Sequence, residues 1–357
     1  MLRQMIGTAA ILYSVAAHSF DIQPYIVNGS NANISKFPSF ASLFYRSNTL
    51  YSTNSFCGAT MINSEYVLTA AHCIYGQDQT MLHTVVAPQL EDENQFLSSM
   101  QGRVSEFYYP DTYSDSSATL WRDDIAILKL ESPLSTGDYQ YLLNNRYNNS
   151  FPNTDDFKAV GHGYIEGNVP GGTQLLETDL EYISLSACQA EFGGQLTSKQ
   201  LCFGGAEQGG YQNSTCSGDS GGPVYFYDGV EYIQVGITSF GPSVCGDVRY
   251  SVTSVFTDIY DYQAWINQVL NGEVEPKAYV VEEEGRRVLV NNDHGSSQAE
   301  IVVESNESNR AGSFSLYLMI TLLLLGLVRA ISHRITIKYK YKAPFLQMRI
   351  YPYLFEK

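Results

Sequence analysis

The run Cys216-Ser217-Gly218-Asp219-Ser220-Gly221-Gly222-Pro223 sets one serine among residues too small to shield it. Glycine admits backbone conformations that a Cβ forbids, so a turn built here can present the Ser220 hydroxyl beside inward-pointing N–H groups. Donors fixed in that way stabilise an oxyanion where negative charge develops in acyl transfer; the N–H groups of Gly218 and Ser220 are the candidates. A serine hydroxyl is a weak nucleophile at neutral pH and needs a neighbouring base, itself oriented by a third group. Leu68-Thr69-Ala70-Ala71-His72-Cys73 offers His72 as the base, and Asp124-Ile125-Ala126-Ile127-Leu128 offers Asp124 to orient it. Alone, the glycine-rich run reads more readily as a surface turn. The two upstream runs are what favour chemistry.

The chain order His, Asp, Ser separates this arrangement from those of subtilisin and the α/β-hydrolases. With its TAAHC, DIAIL and GDSGGP blocks, and Ile26-Val27-Asn28-Gly29 in the place of a mature amino terminus, the chain resembles the trypsin/chymotrypsin family of serine endopeptidases from about Ile26 to Leu270. The resemblance implies two packed six-stranded antiparallel β-barrels, with the catalytic groups in the cleft between them, and a terminal helix. It implies that Ser220 attacks a peptide carbonyl, His72 carries the proton, and Asp124 holds the imidazole. After cleavage between Tyr25 and Ile26, Asp219 would bind the new α-ammonium. Ser214 is implied at the base of the primary specificity pocket and Ser254 near its wall. Ser239, Phe240 and Gly241 are implied along the strand that pairs with substrate, with Phe240 where tryptophan is usual. The disulfides implied are Cys57–Cys73, Cys188–Cys202 and Cys216–Cys245. Two rival classes remain: a protease-fold binding protein without catalysis, and an esterase, since Gly218 to Gly222 also satisfies GxSxG. An esterase of that type places its histidine last, which leaves only His294 or His333.

Such a site needs rigid β elements behind it. Short β-rich runs (Tyr66-Val67-Leu68, Ile125 to Leu130, Gln234 to Thr238, Ser251 to Phe256) alternate with Gly, Asn and Ser turns, as an all-β body requires. From Tyr260 to Leu270, Trp265, Ile266, Val269 and Leu270 share one helical face. His162, between two glycines, and the isolated His83 read as structural or solvated, and Asp123 as solvated beside Asp124. Six cysteines alone allow fifteen pairings, and the three cross-links that the resemblance implies point to an oxidising compartment; a zinc site lacks CxxC spacing and a clustered His partner. No metal or cofactor is called for.

Residues 1–17 carry Arg3, an apolar run and small residues at the end, the pattern of a secretory signal peptide; residues 18–25 then form a short propeptide. Asn33, Asn148 and Asn306 open glycosylation sequons, whereas Asn28 and Asn213, which also do, flank functional positions. Residues 271–310, rich in Glu, Ser and Asn, read as a disordered stalk. Ala311 to Val328 is an uncharged run at the lower limit for a membrane helix, and the basic tail 329–357 places the carboxyl end in the cytosol. A glycolipid-anchor signal is the competitor, though it would normally end with the apolar run. The net charge is −16 and seven of the 21 Lys/Arg lie from Arg329 onward, so the body is strongly acidic, against nucleic-acid binding. The expectation is thus a monomeric, membrane-tethered peptidase on the extracellular side, acting on peptides or proteins.

Overall fold

A computed structural model describes residues 26–136, 151, 157–165, 169–292 and 301–303. The signal peptide, the propeptide including Tyr25, residues 311–328 and the basic tail lie outside the described residues. Two closed antiparallel barrels form the body. The first uses β1 (Phe40–Tyr45), β2 (Cys57–Met61), β3 (Tyr66–Thr69), β4 (Thr84–Pro88), β5 (Gly102–Tyr108) and β6 (Ala126–Leu130). They pair in the order β5-β4-β1-β2-β3-β6, and β6 closes onto β5. The second uses β7 (Phe157–Gly161), β8 (Leu176–Ile183), β9 (Gln200–Gly204), β10 (Pro223–Tyr227), β11 (Tyr232–Phe240) and β12 (Ser254–Asp258). Their order is β8-β9-β12-β11-β10-β7, closed by β7 on β8. Closure removes the exposed sheet edges that would otherwise template aggregation.

Each barrel has its own core. Leu43, Ala59, Met61, Leu68, Ile127 and Leu128 fill the first, and Phe157, Phe203, Phe226 and Phe256 interlock at 4.9–5.2 Å in the second. The helix at Gln263–Leu270 buries Ile266 and Val269 against the first core, as its apolar face predicted. All three disulfides pair as the resemblance implied.

Two parts of the sequence reading are corrected. Within the supposed stalk, β13 (Ala278–Glu283) and β14 (Arg286–Asn291) form a hairpin, and β15 (Ile301–Val303) adds a third strand. The hairpin joins the first barrel where Ala278 pairs with Phe107 of β5. Its turn is Glu284-Gly285 with both φ positive, +52° and +74°, the geometry that matches strand twist in a two-residue hairpin loop. Bulk composition concealed the apolar side chains of Ala278, Val288 and Leu289, which are buried. The second correction concerns the membrane. Among the described residues no helix is long and apolar enough to cross one. The longest helices, Leu185–Phe192 and Gln263–Leu270, have eight residues, against the roughly 20 that a bilayer needs. Among the described residues the all-β fold therefore holds no membrane-spanning helix, and single-pass tethering, membrane partnership and the cell-surface topology built on it are not carried forward.

Candidate active site

Each site residue sits where a barrel strand ends or begins. The turn Ala71–Cys73 follows β3, and the Cys57–Cys73 bridge ties it to the start of β2. Asp124 stands just before β6, and the Ser220 loop just before β10. Gly58 of β2 joins the two halves: its N–H donates to Ser220 O at 2.8 Å, and a Cβ there would come within 2.7 Å of the Gly222 Cα.

His72 and Asp124 are locked together. Asp124 Oδ2 lies 2.8 Å from His72 Nδ1, and Oδ1 accepts the His72 backbone N–H at 2.9 Å. The carboxylate is fully buried, and Ser239 Oγ donates to Oδ2 at 2.5 Å while Thr257 Oγ1 donates to the Asp124 carbonyl. Burial would by itself lower the His72 pKa, but the attraction and hydrogen bond of Asp124, with a smaller pull from Asp115, leave it raised above its ordinary 6.5. His72 and Ser220 line one cleft with Tyr45, Ser52, Phe56, Gln77 and Thr80. The backbone beside Asp124 is strained, with Leu120, Trp121 and Asp123 all at positive φ. Strain of this kind persists where surroundings over-determine the chain, often at functional sites.

In the serine loop, Gly218 has φ +100° and Gly221 +76°, conformations open to glycine. The N–H groups of Asp219, Gly221 and Gly222 donate to Cys216 O, Thr238 O and Asp219 O. Those of Gly218 and Ser220 meet no acceptor among the described residues. Asp219 is fully buried; its Oδ1 accepts from Gly163 N and its Oδ2 from Cys216 N, each at 2.8 Å. No ion pair to it is found among the described residues. Desolvation pushes its pKa up to about 7 despite those two N–H bonds. Ile26 is also fully buried, with φ +63°, and Val27 bridges to Ser214 through N–H to O at 3.2 Å.

Asp219 occupies space that only glycine leaves. A Cβ on Gly161 would stand 2.1 Å from its Oδ1. Gly161→Ala is expected to destabilise the chain by ~2–3 kcal/mol, the scale of an overpacked core, which at this size is a fall in Tm of roughly 5–10 °C. Thermal unfolding of the variant checks this, and an unchanged Tm contradicts it.

The specificity residues divide. Ser214 is fully buried, and its hydroxyl has no partner among the described residues. The Ser254 hydroxyl is engaged, accepting from Thr215 N at 2.9 Å with Thr215 Oγ1 at 3.0 Å. Phe240 packs between Trp121 and Phe192 at 5.3 and 5.6 Å. A Cβ on Gly241 would meet Thr253 O at 2.7 Å. Trp121, Phe192 and the Asp124-holding hydroxyl of Ser239 were missed as site groups because strand register and loop packing, not local spacing, bring them in. Asp123 is corrected too: it is not solvated but 6% exposed, bonded by Tyr262 Oη at 2.5 Å and Lys199 Nζ at 3.2 Å. His162 is structural, buried against Phe40 with its pKa lowered by desolvation to about 4; His83 is likewise buried, beside Tyr45. The sulfurs of Cys57 and Cys73, which with His72 form a potential metal-binding cluster, are bonded to each other and cannot act as thiolate ligands. Asn28 and Asn213, the two doubted sequons, have their amides bonded to the Tyr211 and Asp179 carbonyls.

The closed double barrel and the buried His–Asp pair define a serine-peptidase site, and comparison with known proteins agrees. The Trypsin family model matches residues 26–266, and the chain belongs to that family. It is 31% identical to the thrombin-like enzyme AhV_TL-I of Gloydius halys over 70% of this chain and 98% of that protein. It is 28% identical to chymotrypsin-like elastase family member 1 of Rattus norvegicus over 76% and 99%. The chain is a serine-type endopeptidase.

Proposed function

We propose that the chain hydrolyses peptide bonds after Tyr, Phe or Leu through an acyl-enzyme on Ser220. His72 takes the Ser220 proton as the hydroxyl attacks, and Asp124 keeps the imidazole in the tautomer that can accept it. The free N–H groups of Gly218 and Ser220 receive the oxyanion. His72 then protonates the leaving amine, and water releases the acid. The observation that carries this reading is the fully buried Asp124, held by His72 and Ser239, with Ser220 in the same cleft as the imidazole.

The specificity half rests on Ser214. A buried guanidinium or ammonium without a counter-charge is heavily disfavoured, and Asn213-Ser214-Thr215 contains no acid. The unpartnered Ser214 hydroxyl favours a side chain that can hydrogen-bond to it, which places Tyr ahead of Phe. The names of the relatives, thrombin-like and chymotrypsin-like, do not decide between these preferences; the absence of an acid in Asn213-Ser214-Thr215 supports the uncharged one. Tyr25 precedes Ile26, so the enzyme is expected to process its own precursor. Full-length Ser220→Ala precursor should stay intact alone and be cut at Tyr25–Ile26 when active enzyme is added. Digestion of a peptide library by the cleaved full-length chain tests the preference. Dominant cleavage after Arg or Lys, with no conversion at Tyr25, would reject it.

A further inference from the structure

Arg287 lies in β14, beyond the last residue that the family model matches, 266. Arginine is seldom buried unless it is paired. This one is 7% exposed, with each of its three guanidinium nitrogens bonded. Its Nε donates to Leu82 O and its Nη2 to Val104 O, each at 3.1 Å, and its Nη1 to the Glu131 carboxylate. Leu82 ends the helix Asp78–Leu82, whose last carbonyls lack partners within the helix. The guanidinium therefore satisfies that terminus while tying it to β5. β14 and β15 pack along the same helix.

The opposite end of that helix borders the catalytic cleft. Gln77 and Thr80 line it together with His72, Ser220 and the Cys57–Cys73 bridge. Ser214, Phe240, Gly241 and Ser254 are not among its lining residues. A peptide whose side chain before the scissile bond sits among those four must carry its following residues away on the other side of Ser220. That path runs through this cleft. Apart from His72, its lining side chains are uncharged, so it fits a leaving segment of uncharged residues.

The geometry points to Arg287 as a positioning residue that sets recognition of the substrate beyond the scissile bond, by clamping the helix Asp78–Leu82 and thereby fixing Gln77 and Thr80 on the leaving-group side. It rests on the serine-peptidase reading given above. Arg287 touches no substrate and takes no part in the bond-breaking steps. A misplacement of about an ångström in a supporting wall is enough to weaken productive binding severely.

The test uses the full-length chain cleaved at Tyr25–Ile26, with each preparation normalised by titration with an irreversible serine reagent. Two substrates share the residues up to a tyrosine. One ends there in a p-nitroanilide, and the other continues for three uncharged residues. For Arg287→Met, which keeps the apolar stem, kcat/KM on the extended peptide should fall about tenfold, mainly through KM, while the anilide changes less than about twofold. Arg287→Lys, which retains a cation beside Glu131, should recover part of the loss. Equal losses on both substrates, or no loss on either, would overturn the assignment. Should Arg287→Met fail to fold, Arg287→Lys carries the same comparison. If the unsubstituted enzyme hydrolyses neither substrate and leaves the reagent unreacted, the peptidase reading fails rather than this inference.

Discussion

Ser220→Ala is expected to lower kcat on a good peptide substrate by ~10⁴-fold or more while leaving the thermal midpoint nearly unchanged. The first effect follows because removing the nucleophile of a triad abolishes the acyl-enzyme route and leaves only binding and oxyanion stabilisation. The second follows because losing one partly exposed hydroxyl removes little packing. His72→Ala should lower kcat on a comparable scale, since the two groups act as a unit. In the unsubstituted enzyme, the acid limb of kcat/KM should titrate above the ordinary histidine value of 6.5, because Asp124 raises His72 and only neutral His72 can accept the proton. Steady-state hydrolysis across pH, with active-site titration, measures both. Wild-type rates in Ser220→Ala would remove the mechanism.

The second large effect concerns Asp219 before and after cleavage at Tyr25–Ile26. In the uncleaved chain its folded pKa, about 7, stands well above its ordinary 3.8. Between those values the folded state holds more protons than the unfolded state, so this contribution to stability falls as pH rises. It is fully present below about pH 4 and lost by about pH 7, a change of up to ~4 kcal/mol at 1.36 kcal/mol per pKa unit. Once cleavage supplies the Ile26 ammonium, the pairing that the family resemblance implies would hold the Asp219 pKa low. The trend then reverses: the contribution is present above the unfolded value and lost only as pH falls through the lowered one. Urea unfolding of the Ser220→Ala chain at several pH values, uncleaved and cleaved, measures the difference. Asp219→Asn, which cannot ionise, isolates the residue from other carboxylates and should flatten its share of the slope. Identical pH profiles for the cleaved and uncleaved forms would contradict the account.

The blocks that carry the family resemblance are short and local, and the two barrels and the disulfide pairing followed from that resemblance. TAAHC places His72 at a strand end, DIAIL sets Asp124 before a buried strand, and GDSGGP supplies Gly218 and Gly221 at positive φ. What escaped was set by long-range packing. Nothing near Ser239 in sequence announces a bond to Asp124, which stands more than a hundred residues earlier. Asp123 looked solvated because its partners, Lys199 and Tyr262, come from the second barrel and the turn before the terminal helix. The segment after Leu270 was judged by its Glu, Ser and Asn content, whereas two short apolar runs, Ala278 to Val281 and Val288 to Val290, flank a two-residue Glu284-Gly285 turn. Short apolar runs on either side of a turn signal, rather than the average, mark such a strand pair. The catalytic domain consequently extends past Leu270, and a chain truncated there would lose the Arg287 clamp.

The central claim, that Ser220 is the nucleophile activated by His72, is tested most directly by covalent labelling. The full-length chain, cleaved at Tyr25–Ile26, is treated with a fluorophosphonate at neutral pH, digested and sequenced by mass spectrometry. One adduct per chain is expected, on Ser220, with labelling strongly slowed in His72→Ala and absent in Ser220→Ala. Hydrolytically active enzyme that carries no adduct on Ser220, or carries it on another residue, would contradict the claim.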